Sequence, residues 1–277
     1  MLALGVCLLP GCIIEDDDDD HGGGTYYCGD FSIDPPFETC DDGNAISGDG
    51  CSATCQTEYE PLNTFITASW SLKKLANNTI VSCPTGYDTA AIYSQPITSN
   101  GTNTGTAYVD LYDCSASVGT TAPLPGGEYL SWVEIANNSG SLTYATSLSA
   151  NVNTQMGDQT ESFDIFTDGG YFQMAWTLVG ANTNAPLTCA QAGVAGSIES
   201  LATDITNSSN AATDTFDCDA GSSVTDAFLA GTYTVTVTAR GMDDVILGTS
   251  AAQTNKQVQA PNRVTNLGTI TIPIAGH

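Results

Sequence analysis

Two stretches about a hundred residues apart repeat the same landmarks, the segments between them alternate apolar and polar residues, and the cysteines fall in even numbers within each stretch. These observations predict a mainly β protein: two tandem immunoglobulin-like antiparallel β-sandwiches preceded by a small disulfide-rich module.

The first copy runs Trp70-Ser71-Leu72, Cys83, Asp113-Cys114 and Gly127-Glu128-Tyr129. The second runs Trp176-Thr177-Leu178, Cys189, Asp217-Cys218 and Gly231-Thr232-Tyr233. From Trp to the first Cys is 13 residues in both, and from the second Cys to Tyr is 15 in both. A unit of this size can bury its own core, so the repeat marks tandem domains, residues 61–168 and 169–277. Within them, Ile66, Ala68 and Trp70 alternate with polar neighbours, as do Tyr233, Val235 and Val237. In the last segment, Leu267 is set on the face opposite Ile270, Ile272 and Ile274 by strict period two. A short helical turn is expected over Ala190 to Val194. Trp70 and Trp176, on alternating strands, are expected in the core. Both precede their cysteines, so the immunoglobulin label concerns architecture only.

Of ten cysteines, Cys7 and Cys12 lie in the N-terminal apolar run, and the other eight divide four, two and two. Even counts in each segment indicate disulfides and an oxidising compartment. The expected pairs are Cys83 with Cys114 and Cys189 with Cys218. Cys28, Cys40, Cys51 and Cys55 admit three connectivities, among which the sequence does not choose.

Residues 1–12 read as an apolar signal peptide, too short to span a bilayer as a helix. Leu8-Leu9-Pro10-Gly11-Cys12 resembles the lipobox of bacterial lipoproteins, which implies lipidation of Cys12. No Lys or Arg precedes it. Residues 13–24 form an acidic, glycine-ended tether that self-repulsion keeps extended.

Residues 25–60 form the cysteine-rich module, which has too few apolar side chains to fold without crosslinks or a metal. Its string CDDGN, three residues, GDGCS, two residues, C resembles the cysteine-rich repeat of myxobacterial surface proteins, related to the Lin-12/Notch repeat. The opening departs from that pattern, with Phe31 where the family has glycine. Asp41, Asp42, Asn44 and Asp49 lie within nine residues and offer oxygens of the kind Ca2+ takes. The resemblance to Notch-type repeats implies calcium binding; the alternative is that these side chains cap tight turns.

The chain carries 31 acidic residues against five basic ones, for a net charge of -26. Such a surface repels phosphate backbones and anionic lipid, which argues against nucleic acid or direct membrane docking. The only histidines are His21 and His277, which removes histidine-dependent nucleophilic schemes. Glu128, Glu134, Glu161 and Glu199 could serve a glycosidase, but no spacing pairs two of them. The expectation is therefore a non-enzymatic cell-surface lipoprotein for recognition, adhesion or scaffolding. Its ligand would be a surface protein or polysaccharide, and its only membrane contact the lipid. It would sit in the cell envelope at the outer membrane or be secreted. The alternative is a secreted carbohydrate-binding or carbohydrate-acting protein.

Overall fold

The computed structural model describes residues 27–47, 51–57, 63–207 and 211–277; Cys12, the tether and Asp49 lie outside the described residues. The chain forms two compact units, residues 1–60 and 61–277.

The larger unit holds both sandwiches. The first is built from β1 (Ile66–Lys74), β2 (Thr89–Ile97), β3 (Tyr108–Asp113), β4 (Val118–Thr120), β5 (Glu128–Ala136), β6 (Thr143–Thr146), β7 (Ala150–Asn153) and β8 (Gln159–Phe166). The second repeats the series as β9 (Gly169–Gly180), β10 (Ile198–Asp204), β11 (Ala211–Phe216), β12 (Ser222–Val224), β13 (Gly231–Arg240), β14 (Ile246–Thr249), β15 (Gln253–Val258) and β16 (Arg263–Ile274).

Each sandwich pairs one sheet ordered β3–β2–β5, with β6 and β7 beyond β5, against a smaller sheet of β8, β1 and β4. In the second copy these become β11–β10–β13, with β14 and β15, and β16, β9 and β12. Pairing is antiparallel except at one place in each copy. The first and last strands run parallel, Gln159 beside Ile66 through Phe166 beside Lys73, and β9 beside β16. Each sandwich is thereby closed by its own ends.

Period-two burial holds along β1, where Ile66, Ala68, Trp70 and Leu72 point inward, and along β13, where Tyr233, Val235, Val237 and Ala239 do. Along β16 it breaks. Leu267 and Ile270 are both buried, because β16 carries one extra residue opposite Gln173 to Ala175. Gly268 takes φ 74° there, a bulge that swings Leu267 back to the core face. At Ala190 to Val194 the chain makes a hydrogen-bonded turn, with Val194 N–H donating to Cys189 O, which does not continue as a helix.

Only Thr167 and Asp168 separate β8 from β9. The next strand must then start against its neighbours with no room for side chains. A Cβ on Gly169 would lie 2.5 Å from Phe228 O, and one on Gly170 2.4 Å from Arg263 O. Beside this crossing, Asn262 is buried and sits at φ 49°. Its Oδ1 accepts from Phe166 N–H (2.7 Å), its Nδ2 donates to Thr146 O (2.8 Å), and its own N–H donates to Gly169 O. One side chain of the second sandwich thus holds two strands of the first.

Candidate functional site

The repeated landmarks are a set of side-chain-to-backbone bonds made twice. Trp70 Nε1 donates to Cys114 O (2.8 Å) and Trp176 Nε1 to Cys218 O (2.9 Å). Cys83–Cys114 and Cys189–Cys218 are disulfides, so indole and crosslink meet at one residue in each core. Tyr129 and Tyr233 each donate their hydroxyl to a carbonyl four residues back, at Pro125 and Leu229. Further pairs, which sequence reading missed, recur in both copies. Thr121 and Thr225 accept from Ile66 and Phe172 N–H, and Ser147 and Ser250 accept from Val133 and Val237 N–H. Buried backbone groups on strands interrupted by turns find partners this way. Loops of 31 and 29 residues make each crosslink worth about 3–4 kcal/mol on the chain-entropy estimate.

In the module the disulfides are nested, Cys28–Cys55 around Cys40–Cys51. Asp41 is its hub. Oδ2 accepts from Gly29 and Asp30 N–H, both at 3.0 Å, and Oδ1 from Phe31 (3.1 Å) and Gly43 (2.8 Å) N–H. Burial pushes this carboxyl up, but the four amides together hold it below the usual carboxylate range. A carboxylate has about four lone-pair positions. All four are engaged by amides, so Asp41 ties two turns together. Asp42 and Asn44 accept from N–H groups two residues on, at Asn44 and Ile46. Glu38, Asp41 and Cys55 also converge, but the Cys55 sulfur is in a disulfide and Glu38 accepts from Asp34 N–H.

The four glutamates considered for hydrolysis lie on three strands: Glu128 and Glu134 on β5, Glu161 on β8 and Glu199 on β10. Glu199 is committed to a bidentate pair with Arg240 (2.9 and 2.7 Å), and Glu134 accepts from the Thr143 hydroxyl.

The outer face of the β2–β5 sheet is different. Tyr93 and Trp132 are cross-strand partners, half-buried, with rings parallel to within 2° and centroids 4.9 Å apart. Burial, and then the charge of Glu134, raises the Tyr93 hydroxyl above its ordinary pKa. Trp132 also borders a groove of about 390 Å³ between the sandwiches, whose walls include Leu130 and Ser149 from the first and Gln173, Val224 and Val264 from the second. Sequence reading did not single out this pair, because an aromatic on an alternating strand is equally compatible with the core. The cue was its mismatch with the second copy, where the same register positions hold Leu201 and Thr236.

No family model matches the chain, and no curated protein matches it. Among solved structures it is similar to a leucine-rich repeat protein from Bacteroides thetaiotaomicron (13% identity, TM-score 0.36), over 76% of this chain and 26% of that one. It is also similar to GBS52, the minor pilin of Streptococcus agalactiae (10%, TM-score 0.26, 76% and 96%). A third is the fimbrial anchor protein Mfa2 from Porphyromonas gingivalis (9%, TM-score 0.25, 68% and 81%). The chain thus spans about a quarter of the length of the first of these proteins. Likenesses this loose do not say what the chain binds.

Proposed function

We propose that the chain is a non-catalytic recognition or adhesion protein of the cell surface, anchored by lipid at Cys12. In chain order, the lipid is followed by the acidic tether, the nested-disulfide module and the paired sandwiches. One observation carries the reading: all eight cysteines from Cys28 to Cys218 are paired, two by two, within their own segments. Such a framework forms outside the reducing cytoplasm. The charge of -26 keeps the surface soluble and unattracted to anionic lipid, leaving the acyl group as the membrane contact.

Fractionation of the source cells tests this. The wild-type chain should sediment with the envelope and be degraded by protease added to whole cells. Cys12→Ser should be released in soluble form. A Cys12→Ser chain that stays in the envelope, or a wild-type chain protected from external protease, contradicts the proposal. A secreted carbohydrate-binding protein is the second reading, favoured by the Trp132 groove.

A further inference from the structure

The two copies share their strand order, their disulfide and their buried side-chain bonds, yet the outward face of the first carries a stacked aromatic pair that the second lacks. We propose that this difference is a binding site: the Trp132 groove takes a neutral sugar ring of a polysaccharide, stacked on the indole. The proposal deepens the recognition reading, resting on it only for where the ligand is met.

The register fixes the comparison. Val133 lies opposite Ile92, and Val237 opposite Ser200, so Trp132 opposite Tyr93 corresponds to Thr236 opposite Leu201. Along β13 the outward residues are Thr232, Thr234, Thr236 and Thr238, an ordinary solvated face. Scaffold needs therefore do not call for an aromatic pair at this position. Tyr93 stacks against Trp132 and is not part of the groove wall, while Trp132 is. The tyrosine steadies the indole and leaves its other side to the groove.

The walls suit one class of ligand. None of the groove residues is charged, although the whole chain carries -26. An anionic polymer would be repelled by the surrounding surface, and a cationic one would find no carboxylate in the groove. The negative face of an aromatic ring attracts the weakly positive C–H face of a pyranose. Ser149 and Gln173 are exposed on opposite walls, and their side chains have no hydrogen-bond partner among the described residues. Hydroxyl and amide both donate and accept, as sugar hydroxyls require. A volume of about 390 Å³ falls within the ~300–1,000 Å³ of ligand clefts. The bond from Asn262 to Thr146 O ties the second sandwich to a residue of the groove wall, so the cleft is shaped before a ligand arrives.

Tryptophan fluorescence tests this directly. Of three tryptophans, Trp70 and Trp176 are 3% and 6% exposed, so a ligand-dependent change reports Trp132. The purified, oxidised chain is titrated with dextran, laminarin and galactomannan, with polygalacturonate as the anionic control, and binding is measured independently by affinity electrophoresis. At least one neutral polymer should shift the emission and retard the band. Trp132→Ala should weaken binding tenfold or more and Gln173→Ala several-fold, both melting near wild type, with Trp132→Phe retaining part of the affinity. The proposal is overturned if no neutral polymer binds, if Trp132→Ala binds like wild type, or if polygalacturonate alone binds. Self-association abolished by Trp132→Ala, without sugar binding, would assign the face to a second copy instead. The assay needs no anchor, so a negative result leaves surface recognition standing, and mislocalisation leaves the groove test intact.

Discussion

The indole nitrogen of Trp70 donates to the carbonyl oxygen of Cys114, a residue that is itself half of a disulfide, and Trp176 does the same at Cys218. Each tryptophan thus fills a core and satisfies the backbone of the crosslink below it. Replacing either by Phe keeps an aromatic ring but loses volume and the indole's bond to the carbonyl, although Cys218 O keeps a second donor in Gly221 N–H. Trp70→Phe and Trp176→Phe should each cost about 2–4 kcal/mol in denaturant unfolding. A loss under half a kilocalorie would mean that the ring's volume alone matters.

Asn262 should couple the two sandwiches. At φ 49°, Asn262→Gly keeps the backbone conformation and removes the side-chain bonds to Phe166, Thr146 and Tyr171. Calorimetry should show a lower melting temperature and a single transition separating into two. An unsplit, unshifted transition would show that the short crossing at Thr167 and Asp168 suffices.

Tyr171 lies at the same junction. Burial first, then the Asp164 carboxylate, raises its hydroxyl to about 12, against a hydrogen bond with Asn262 that lowers it. A phenol whose folded pKa is raised gives stability that is complete below pH 10, where the unfolded chain still holds its proton. That stability is lost as pH climbs towards 12. Tyr171→Phe should therefore make the alkaline loss between pH 10 and 12 shallower by about 2 kcal/mol. Equal slopes for wild type and variant would refute the assignment.

Asp41 accepts four backbone amides, which account for its place in the module without a cation. Its lowered pKa means that its contribution is present above the unfolded value of 3.8 and fades as pH falls through the folded one. Asp41→Ala should remove hydrogen-exchange protection at Gly29, Asp30, Phe31 and Gly43. Melting of the wild-type chain should be the same in millimolar calcium as in chelator. A calcium-dependent rise lost in Asp41→Ala would restore the ligand role.

Phe31 offers a separate check on the same module. It takes φ 67°, a conformation that favours glycine, and its ring lies over Gly43. Relief of that strain exceeds the added unfolded-state entropy, so Phe31→Gly should stabilise the module by about 0.5–1 kcal/mol. Reductive unfolding of Cys28–Cys55 measures it, and faster reduction in the variant would contradict the expectation.

Much of the architecture could be read from residues alone. Alternation placed Trp70 and Val235 inward, and the common intervals between Trp, Cys and Tyr marked two copies of one sandwich. Leu267 was set on the wrong face because a single added residue at Gly268 reverses every side chain beyond it, and no local pattern announces a bulge. The parallel pairing of β1 with β8 was equally hidden, since strand direction leaves no mark on period two. In the module, spacing could not choose among three connectivities, nor show that the Asp41 oxygens face amides. Trp132 and Tyr93 stayed unnoticed because only the register shows that they lie opposite each other and where the second copy departs.

The central claim is that this chain matures outside the reducing cytoplasm as a crosslinked surface protein. Alkylation of natively purified protein under denaturing, non-reducing conditions, followed by mass spectrometry, tests it most directly. The account predicts no label on Cys28, Cys40, Cys51, Cys55, Cys83, Cys114, Cys189 or Cys218, and full labelling after reduction. Eight labelled thiols before reduction would contradict it.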